Sequence, residues 1–389
     1  MRKVLWRGSG LEVHFRPKFM STKKSGKAAV KVAIVGTGGM AAVHAAAYSK
    51  IPGCRLVGAC DVDAARAKNF AERYGIPAAY GSLDEMLAQC DFDAVSVVTP
   101  DAAHMPVTMA CLRAGKHVLC EKPLALVGSD ARTMAAAAKK ARVVNLVNFS
   151  YRNWPCIEGA AIAIRKGVIG EIRHLEASYL QAWLVSKAWG EWRTSPAWLW
   201  RLSTKHGSKG VLGDVGVHIL DYATYPVGPL REVFCRLKAF PKAPGNRIGD
   251  YVLDANDSAT LNVEFANGAL GVIHTTRWCG GHANRLALKI SGTLGTISMD
   301  SDLSTDSYRL CAGAGLDKGE WKDVPCKAVP ETYSRFISAI RSGGGGDPDF
   351  DRGAEIQGIL DACFESDKFR MPVRITSRSR GNAPAKSKS

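Results

Sequence analysis

Two segments of the sequence bring together residue types that could move a proton. In Glu121-Lys122-Pro123, an acid and a lysine directly follow an apolar run, so they would leave the end of a buried strand. Asp214 and His218 are four residues apart, which places them on one face of a helix that begins near Asp214. An imidazole titrates near neutrality, and an ammonium group can stabilise a developing alkoxide. This set of residues could therefore deprotonate an alcohol.

Each of these residues also has a structural interpretation. A lysine at a strand end is most often a solvated surface residue. His218 could be a buried histidine with satisfied hydrogen bonds, and Asp214 could be a helix N-cap. Asp221 lies three residues beyond His218, on a neighbouring part of the same face. The catalytic interpretation is favoured because Asp214 and His218 follow a glycine-containing turn and Lys122 stands in a Glu-Lys-Pro triplet at a predicted sheet edge.

Oxidation of an alcohol needs a hydride acceptor, and Lys31–His44 predicts where one binds. The apolar run Val32–Val35 is followed by Gly36-Thr37-Gly38-Gly39-Met40-Ala41 and then by alanine-rich helical sequence. This is the strand, glycine turn and helix start of a dinucleotide-binding βαβ unit. Gly36 would permit the tight turn. Gly38 would let the backbone approach a pyrophosphate at the positive end of the helix dipole.

The second predicted strand, Arg55–Cys60, ends at Asp61, which lies 25 residues beyond Gly36. A carboxylate near this position accepts hydrogen bonds from the adenosine ribose in dinucleotide-binding folds. Asp61 would repel the 2′-phosphate of NADP, and Asp63 adds negative charge, so the sequence predicts NAD in preference to NADP. The alternative is that Asp61 only caps the helix that begins near Asp63.

The order of apolar segments predicts the fold. Short strands alternate with helices from residue 30 to about residue 148, and strands follow in close succession after Leu230. This pattern predicts an α/β fold with an N-terminal Rossmann domain, built on a doubly wound parallel sheet, and a C-terminal α+β domain with a large, mostly antiparallel sheet. We expect a flexible basic extension at 1–29, a nucleotide-binding domain at 30–150, a substrate-binding and oligomerisation domain at 151–375 and a disordered basic tail at 376–389.

The formal net charge of +16 belongs mainly to the two ends of the chain. Residues 1–29 contain eight Lys and Arg against one Glu, and residues 374–389 contain five against no acid. Because no aromatic residues interleave the C-terminal basic ones, we expect no specific nucleic-acid partner. No stretch reaches the roughly 20 apolar residues of a membrane span, so no membrane association is expected. The eleven scattered cysteines form no Cys-x-x-Cys pair, which favours buried thiols in a reducing cytoplasm over disulfides or a metal site.

These segments together resemble the Gfo/Idh/MocA oxidoreductases, the family of glucose–fructose oxidoreductase and the inositol dehydrogenases. The resemblance extends over about residues 30–375. It is most specific in Glu121-Lys122-Pro123 and in Asp214-x-x-x-His218-x-x-Asp221, which follow the glycine fingerprint. It implies the two-domain fold, a nicotinamide cofactor, and a sugar, sugar derivative or cyclitol bound between the domains. It therefore implies a dehydrogenase that acts on CH–OH groups.

The resemblance also implies roles for individual residues. Lys122 would contact the substrate hydroxyl and tune proton transfer, His218 would be the general acid/base, and Asp214 would position His218 or the substrate. Glu121 would lie near the nicotinamide ribose, and a cis peptide often precedes the proline of this triplet in the family. The expected cofactor contacts are Gly36, Gly38, Gly39, Met40, Asp61, Thr99, Pro100, Asp101, His104, Glu121 and Lys122. The expected substrate contacts are Lys122, Arg152, Trp183, Asp214 and His218, and no metal is expected.

Two positions depart from the family pattern. Thr99-Pro100-Asp101 stands where the family usually has Thr-Pro-Asn, so a carboxylate replaces an amide beside the cofactor. Lys209 stands where the family usually has another glycine, and it could lie near the substrate loop or point to solvent. His44, His104 and His117 are interpreted as structural, with His104 the nearest of the three to the cofactor.

The segment before the predicted catalytic helix is rich in aromatic and basic residues, namely Trp183, Trp189, Trp192, Trp198 and Trp200 with Arg193 and Arg201. These residues could bind a sugar, or they could form core or a subunit interface. Two further functions would use the same fold: an NAD-dependent redox-cycling glycoside hydrolase or lyase, and a non-catalytic sugar- or nucleotide-sensing protein. The presence of Lys122 and His218 argues against the sensor. The exposed face of the second sheet predicts a homodimer or homotetramer.

Overall fold

The computed structural model describes residues 29–375, which form two large sheets with helices packed against both. The first half alternates strand and helix: β1 (Val30–Val35), α1 (Gly39–Tyr48), β2 (Cys54–Cys60), α2 (Ala64–Tyr74), β3 (Ala79–Tyr80), α3 (Leu83–Gln89), β4 (Ala94–Val97), α4 (Asp101–Arg113), β5 (His117–Cys120), α5 (Gly128–Ala141) and β6 (Asn145–Val147). The strand order is β3-β2-β1-β4-β5-β6, and every pairing is parallel. The predicted Rossmann fold is confirmed. The predicted tail at 376–389 and all but the last residue of the predicted extension at 1–29 lie outside the described residues.

The functional edge of this sheet follows from its strand order. The order reverses between β1 and β4, and in an open parallel sheet ligands bind at the carboxyl ends of the strands beside such a reversal. The connections that leave β1, β2, β4 and β5 all begin at this edge. The glycine turn, Asp61, Thr99 and Lys122 are therefore brought to one side of the sheet, although they are far apart in the sequence.

The second half is built around a nine-stranded sheet. Its elements are α6 (Pro155–Arg165), β7 (Ile172–Gln181), α7 (Pro196–Leu199), α8 (Val217–Val227), β8 (Leu230–Lys238), β9 (Arg247–Ile248), β10 (Tyr251–Val252), β11 (Ser258–Phe265), β12 (Leu270–Thr276), β13 (Asn284–Gly292), β14 (Gly295–Asp300), β15 (Ser304–Ala312), β16 (Lys322–Pro325), α9 (Thr332–Ser342), α10 (Phe350–Phe369) and β17 (Val373–Arg374). The strand order of the nine-stranded sheet is β16-β15-β14-β13-β7-β12-β11-β8-β17, with only the β7–β12 pairing parallel, and β9 and β10 pair separately with each other. The predicted large, mostly antiparallel sheet is confirmed.

The last helices connect the two sheets. On α9, Tyr333, Phe336 and Ile337 are buried in one apolar cluster with Val32 of β1 and Leu119 of β5. The next helix, α10, packs against both α5 and β8. The end of the chain therefore returns to the first sheet, and α10 packs against elements of both halves of the chain.

Two helices that carry predicted site residues begin earlier than the sequence pattern indicates. The sequence pattern predicts a helix over Pro106–Ala114, but α4 spans Asp101–Arg113 with Pro106 inside it, and Asp101 supplies the acid that is favourable in the first turn. We expected another helix to begin near Asp214. Instead the helical backbone begins at Val211, directly after Gly210 with its φ of +69°, and forms a π-turn over Leu212–Gly216 before α8 begins. The interpretation of Asp214 as an N-cap is therefore wrong.

Two further observations concern membranes and metals. No helix within residues 29–375 combines the length and apolar character that crossing a membrane requires. Within the same residues, no group of three or more His, Cys, Asp or Glu side chains is placed to hold a metal ion. All eleven cysteines of the sequence fall in this range, and each is a free thiol.

Candidate active site

The glycine turn after β1 forms an open cradle at the N-terminus of α1. Gly36 has φ of +88°, and a Cβ there would lie 2.5 Å from the carbonyl oxygen of Val98, so only glycine fits. At Gly38 and Gly39, no described atom lies within 4 Å of an added Cβ. The N-cap Gly38 has no side chain that could bind the first N–H groups of the helix. This open space, with free N–H groups at a helix N-terminus, fits the pyrophosphate of a dinucleotide.

Asp61 lies at the end of β2, close to this cradle. Its carboxylate accepts hydrogen bonds from the backbone N–H and the hydroxyl of Thr37, at 2.8 and 2.9 Å, and from the Arg66 guanidinium at 2.6 Å. Burial alone would raise its pKa, but these hydrogen bonds hold the pKa of Asp61 well below its usual range. The cap of α2 is Asp63, whose side chain accepts from the Arg66 N–H. Asp61 is therefore an ionised acceptor and not the helix cap.

A buried histidine holds the loop after β4. His104 Nε2 lies 3.0 Å from the carbonyl oxygen of Thr99, and its Nδ1 lies 2.7 Å from the carbonyl oxygen of Pro123, so it links this loop to the segment that carries Lys122. The hydroxyl of Thr99 is buried and has no hydrogen-bond partner within residues 29–375, which leaves a polar group available for a ligand. Burial raises the pKa of Asp101, the residue that replaces the usual amide. His104 thus acts on the predicted cofactor site through the loop.

Glu121 leaves β5 and enters a buried polar pocket. Its Oε1 accepts a hydrogen bond from the Asn148 side-chain amide at 2.6 Å and lies 2.8 Å from His44 Nε2. Burial opposes ionisation, but the hydrogen bond and charge of His44 and the hydrogen bond from Asn148 lower the pKa of Glu121 to about 2. The ring of Tyr333 packs edge-on against His44, with 4.8 Å between the ring centroids. Glu121 is therefore a fixed anion, and His44 and Asn148, which the sequence did not mark as site residues, hold it.

Lys122 reaches across the crevice to the π-turn before α8. Its Nζ donates to the Asp214 backbone carbonyl at 2.8 Å and lies 3.4 Å from Asp214 Oδ1. The other carboxylate oxygen, Oδ2, accepts a hydrogen bond from Arg277 Nη2 at 2.9 Å and lies 3.6 Å from Arg201 Nε. Burial would raise the pKa of Asp214, but the charges of these three cations hold that pKa well below its usual range. Asp214 is thus an anion that fixes the position of the Lys122 ammonium.

His218 is buried on α8, close to Lys122 and Asp214. Burial and the positive charge of Lys122 lower the pKa of His218 to about 3, so its imidazole is neutral at pH 7. Its Nδ1 has no hydrogen-bond partner in the described part of the chain. No hydrogen bond joins it to Asp214 within residues 29–375, although the sequence suggested that this acid could position it. The structure brings the three predicted catalytic residues together, with Asp214 directed to the cations rather than to the imidazole.

A network of tyrosines and amides lies beside His218. The ring of Tyr151 packs edge-on against His218, at 4.7 Å between centroids, and its hydroxyl is hydrogen-bonded to that of Tyr179. Asn284 accepts from the Tyr179 hydroxyl at 2.7 Å and donates to the Tyr151 hydroxyl at 3.0 Å. Gln181 donates to the same Asn284 oxygen at 2.9 Å. No sequence signal indicated this network, because its members come from separate segments and none belongs to a recognisable motif.

Two predicted substrate contacts have other partners. Arg152 is 4% exposed, and its Nε and Nη2 donate to the two oxygens of Asp221 at 2.7 and 2.8 Å. Arg352 also donates to this carboxylate, at 2.8 Å, which gives Asp221 a structural role. Trp183 is 2% exposed, and the Arg277 guanidinium lies 4.9 Å from the centre of its ring. Both side chains are thus packed inside the protein, and their contact with substrate stays a prediction.

The aromatic segment before the helix divides between core and surface. Trp183 and Trp192 belong to a buried apolar cluster, whereas Trp189 is 37% exposed. Trp198 and Trp200 are half-buried and flank Arg201.

The exposed Lys209, whose position was left open above, has its ammonium 5.7 Å from the ring centre of Phe364.

Comparison with known proteins covers both domains. Residues 30–149 match the model of an oxidoreductase family with an NAD-binding Rossmann fold, and residues 158–298 match the Gfo/Idh/MocA C-terminal domain. D-glucoside 3-dehydrogenase of Escherichia coli is 30% identical over 64% of this chain and 70% of its own length. The chain belongs to the Gfo/Idh/MocA oxidoreductase family. The predicted family is confirmed, and so is an oxidoreductase with NAD as its cofactor.

Other members of the Gfo/Idh/MocA family match over nearly the whole chain. Levoglucosan dehydrogenase of Pseudarthrobacter phenanthrenivorans is 28% identical over 87% of this chain and 96% of its own length. A solved structure of levoglucosan dehydrogenase in complex with NADH and levoglucosan matches with a TM-score of 0.79 and 27% identity, over 89% of this chain and 99% of that one. The similarity therefore includes both sheets and the crevice between them.

Proposed function

We propose that this protein is an NAD-dependent dehydrogenase that oxidises a secondary hydroxyl group of a sugar, a sugar derivative or a cyclitol. One observation carries the proposal: the Lys122 ammonium, the Asp214 carboxylate and the neutral His218 imidazole meet at the crevice beside the Rossmann sheet. Two relatives named as sugar dehydrogenases, one for levoglucosan and one for D-glucosides, support a carbohydrate substrate.

The residues around the glycine turn would hold the cofactor. When bound, NAD supplies the acceptor for the hydride. The turn from Gly36 to Gly39 and the N-terminus of α1 would bind the pyrophosphate, and the ionised Asp61 would accept from the adenosine ribose. Glu121 would accept a hydrogen bond from the nicotinamide ribose. Its hydrogen bonds with His44 and Asn148 keep its carboxylate ionised and in place before any ligand binds.

Lys122 and His218 would divide the proton transfer between them. His218 is neutral at pH 7, so its imidazole would accept the proton of the substrate hydroxyl. The Lys122 ammonium would donate a hydrogen bond to the same oxygen and stabilise its developing negative charge. Asp214 holds this ammonium through its carbonyl and its carboxylate, so the donor is oriented in advance.

The test measures NADH formation with NAD, and NADPH formation with NADP, for a panel of aldoses, glycosides, anhydrosugars and cyclitols. We expect NAD to be the better cofactor and at least one substrate to be oxidised. Lys122→Met and His218→Asn should lower kcat/KM by about 10²–10⁴-fold, the range for a general acid/base. Lys209→Met, which removes an exposed lysine, is the matched control and should retain activity.

Two results would contradict the proposal. If NAD binds but no substrate yields NADH, net oxidation is refuted, and a redox-cycling hydrolase or lyase that returns the hydride becomes the better explanation. If neither nucleotide binds, the assignment of the cradle around Gly38 is refuted as well. Activity that survives both Lys122→Met and His218→Asn would refute the division of roles between these residues.

We also propose that the protein is a homodimer or homotetramer in a reducing cytoplasm. The outer face of the second sheet, which includes His174, Glu176, Val272 and His274, is exposed in the single chain, and Leu270 is 59% exposed. A second copy of the sheet would cover this apolar surface. Light scattering at micromolar concentration should give a mass of two or four chains, and a monomer would contradict the proposal. The eleven free thiols support the compartment.

A further inference from the structure

Arg201 lies beside the proposed catalytic residues with only part of its hydrogen-bonding capacity in use. Its Nη1 donates to the Ala197 carbonyl at 3.0 Å. Its Nε lies 3.6 Å from Asp214 Oδ2, which is too long for a hydrogen bond. Within residues 29–375, neither Nε nor Nη2 makes a hydrogen bond, and the side chain is 32% exposed. The guanidinium therefore has donors available to a ligand beside Asp214.

The acids near Arg201 do not require it as a partner. Asp214 is already bound by Lys122 on one oxygen and by the fully buried Arg277 on the other, so Arg201 is a third cation on one carboxylate. Asp101 is near enough for the charge of Arg201 to lower its pKa, but no ion pair within 4 Å joins the two among the described residues. Asp214 and Asp101 therefore do not need Arg201 as an ion-pair partner.

The position of Arg201 is fixed by its neighbours. Its backbone carbonyl accepts hydrogen bonds from Arg277 Nη1 at 3.1 Å and from the Ser208 hydroxyl at 2.6 Å. Its guanidinium carbon lies 4.6 Å from the ring centre of Trp200 and 5.5 Å from that of Trp198. Such contacts restrict a long side chain before a ligand arrives, and they reduce the entropy lost when it binds.

We propose that the substrate is a sugar acid whose carboxylate binds to Arg201 while the hydroxyl to be oxidised lies at Lys122. This inference rests on the proposed dehydrogenase function and names its substrate class. A guanidinium group matches a carboxylate through two parallel N–H···O bonds, and a neutral sugar would leave this charge without a partner. Lys122 and Arg201 lie beside the two oxygens of the same Asp214 carboxylate, at 3.4 and 3.6 Å, so both cations are at the same site.

The test compares neutral and acidic sugars of the same stereochemistry: glucose with glucuronate, galactose with galacturonate and mannose with mannuronate. Their affinities for the protein–NADH complex are measured by titration calorimetry, and their oxidation is followed with NAD. In at least one pair the acid should bind about 10- to 100-fold more tightly than the neutral sugar, the range for a hydrogen bond to a charged group. Arg201→Gln should abolish this preference by raising KM for the acid with little change in kcat.

Arg193→Gln is the matched control, because Arg193 is an exposed arginine of the same segment that pairs with Glu191 and stacks on Trp192. It should keep the wild-type preference, and both variants should keep wild-type affinity for NADH, which shows that they fold. The inference is overturned if no acid binds more tightly than its neutral counterpart, or if Arg201→Gln leaves the preference unchanged. Oxidation of neutral sugars alone would overturn this inference and leave the dehydrogenase function standing. If neither member of any pair, nor any other sugar, is oxidised, the dehydrogenase function itself fails.

Discussion

Alanine substitution at Gly38 should weaken cofactor binding without destabilising the fold. Gly38 has φ of −74° and ψ of −169°, which alanine adopts without strain, and an added Cβ would meet no described atom within 4 Å. A glycine-to-alanine change at such a position stabilises a protein by about 0.4–1 kcal/mol, because it reduces the entropy of the unfolded chain. The same methyl group would occupy the space proposed for the pyrophosphate. We therefore expect an unchanged or slightly higher Tm and an affinity for NADH at least about 10-fold lower, which corresponds to about 1.4 kcal/mol.

Gly36→Ala should have the opposite effect on stability. Its φ of +88° costs alanine about 1–2 kcal/mol. An added Cβ would also lie 2.5 Å from the carbonyl oxygen of Val98 and 2.8 Å from the backbone nitrogen of Thr99, and overpacking of this kind typically costs about 1–3 kcal/mol. Gly115→Ala separates the two contributions, because Gly115 has φ of +70° but no described atom within 4 Å of an added Cβ. It should lose only the backbone contribution.

The assay is thermal unfolding of the three variants, followed by titration with NADH monitored by fluorescence. The expected order of Tm is Gly38→Ala at or above wild type, then Gly115→Ala, then Gly36→Ala. Only Gly115→Ala should combine a reduced Tm with wild-type affinity for NADH. If Gly38→Ala binds NADH as tightly as wild type, the open space at this turn is not the pyrophosphate site. If it unfolds as early as Gly36→Ala, the space at Gly38 is not open.

Three further predictions follow from the buried ionisable groups. The charges of Arg152 and Arg352, acting against burial, lower the pKa of Asp221 from 3.8 to about 2, so its ionised form contributes about 2 kcal/mol of stability above pH 4 that is lost as the pH falls through 2. The stability difference between wild type and Asp221→Asn in urea should therefore shrink between pH 6 and pH 2, and a constant difference would contradict this. His218 should remain neutral by NMR from pH 8 down to pH 5, because its pKa is near 3; titration with a midpoint near 6.5 would contradict this. Both ring nitrogens of His104 face carbonyl oxygens, so its ¹⁵N shifts at pH 7 should be those of an imidazolium, and a neutral tautomer would refute this reading.

Local sequence signals located the elements and the residues that belong to contiguous motifs. The bounds of α2 and α3 agree with the sequence pattern because each helix has its own cap, Asp63 in one case and Ser82 in the other. Lys122 could be predicted because a strand and a Glu-Lys-Pro triplet place it at a sheet edge. The spacing of Asp214 and His218 was likewise sufficient to bring them to the same site, although it gave the wrong start for their helix.

Long-range pairing accounts for what the sequence could not show. Tyr179 and Asn284 stand on neighbouring strands, β7 and β13, and their contact depends on a strand register that no local pattern encodes. Arg152 was predicted to contact the substrate. The sequence alone does not distinguish an arginine that faces a cleft from one that forms a buried ion pair. Its partner Asp221 lies 69 residues away. Which arginine faces the crevice and which is buried is decided by packing and not by sequence spacing.

The π-turn before α8 supports the different roles that we propose for Lys122 and His218. A carboxylate hydrogen-bonded to the imidazole would raise the pKa of His218 and favour its protonated form, which cannot accept a proton. In this structure Asp214 lies inside the π-turn and bonds to Lys122 and Arg277 instead. The ammonium thus gains a fixed counter-charge, while burial and the ammonium charge keep the imidazole neutral. In the proposed mechanism, the same carboxylate orients Lys122 as the hydrogen-bond donor to the substrate oxygen, and the neutral His218 would take the proton.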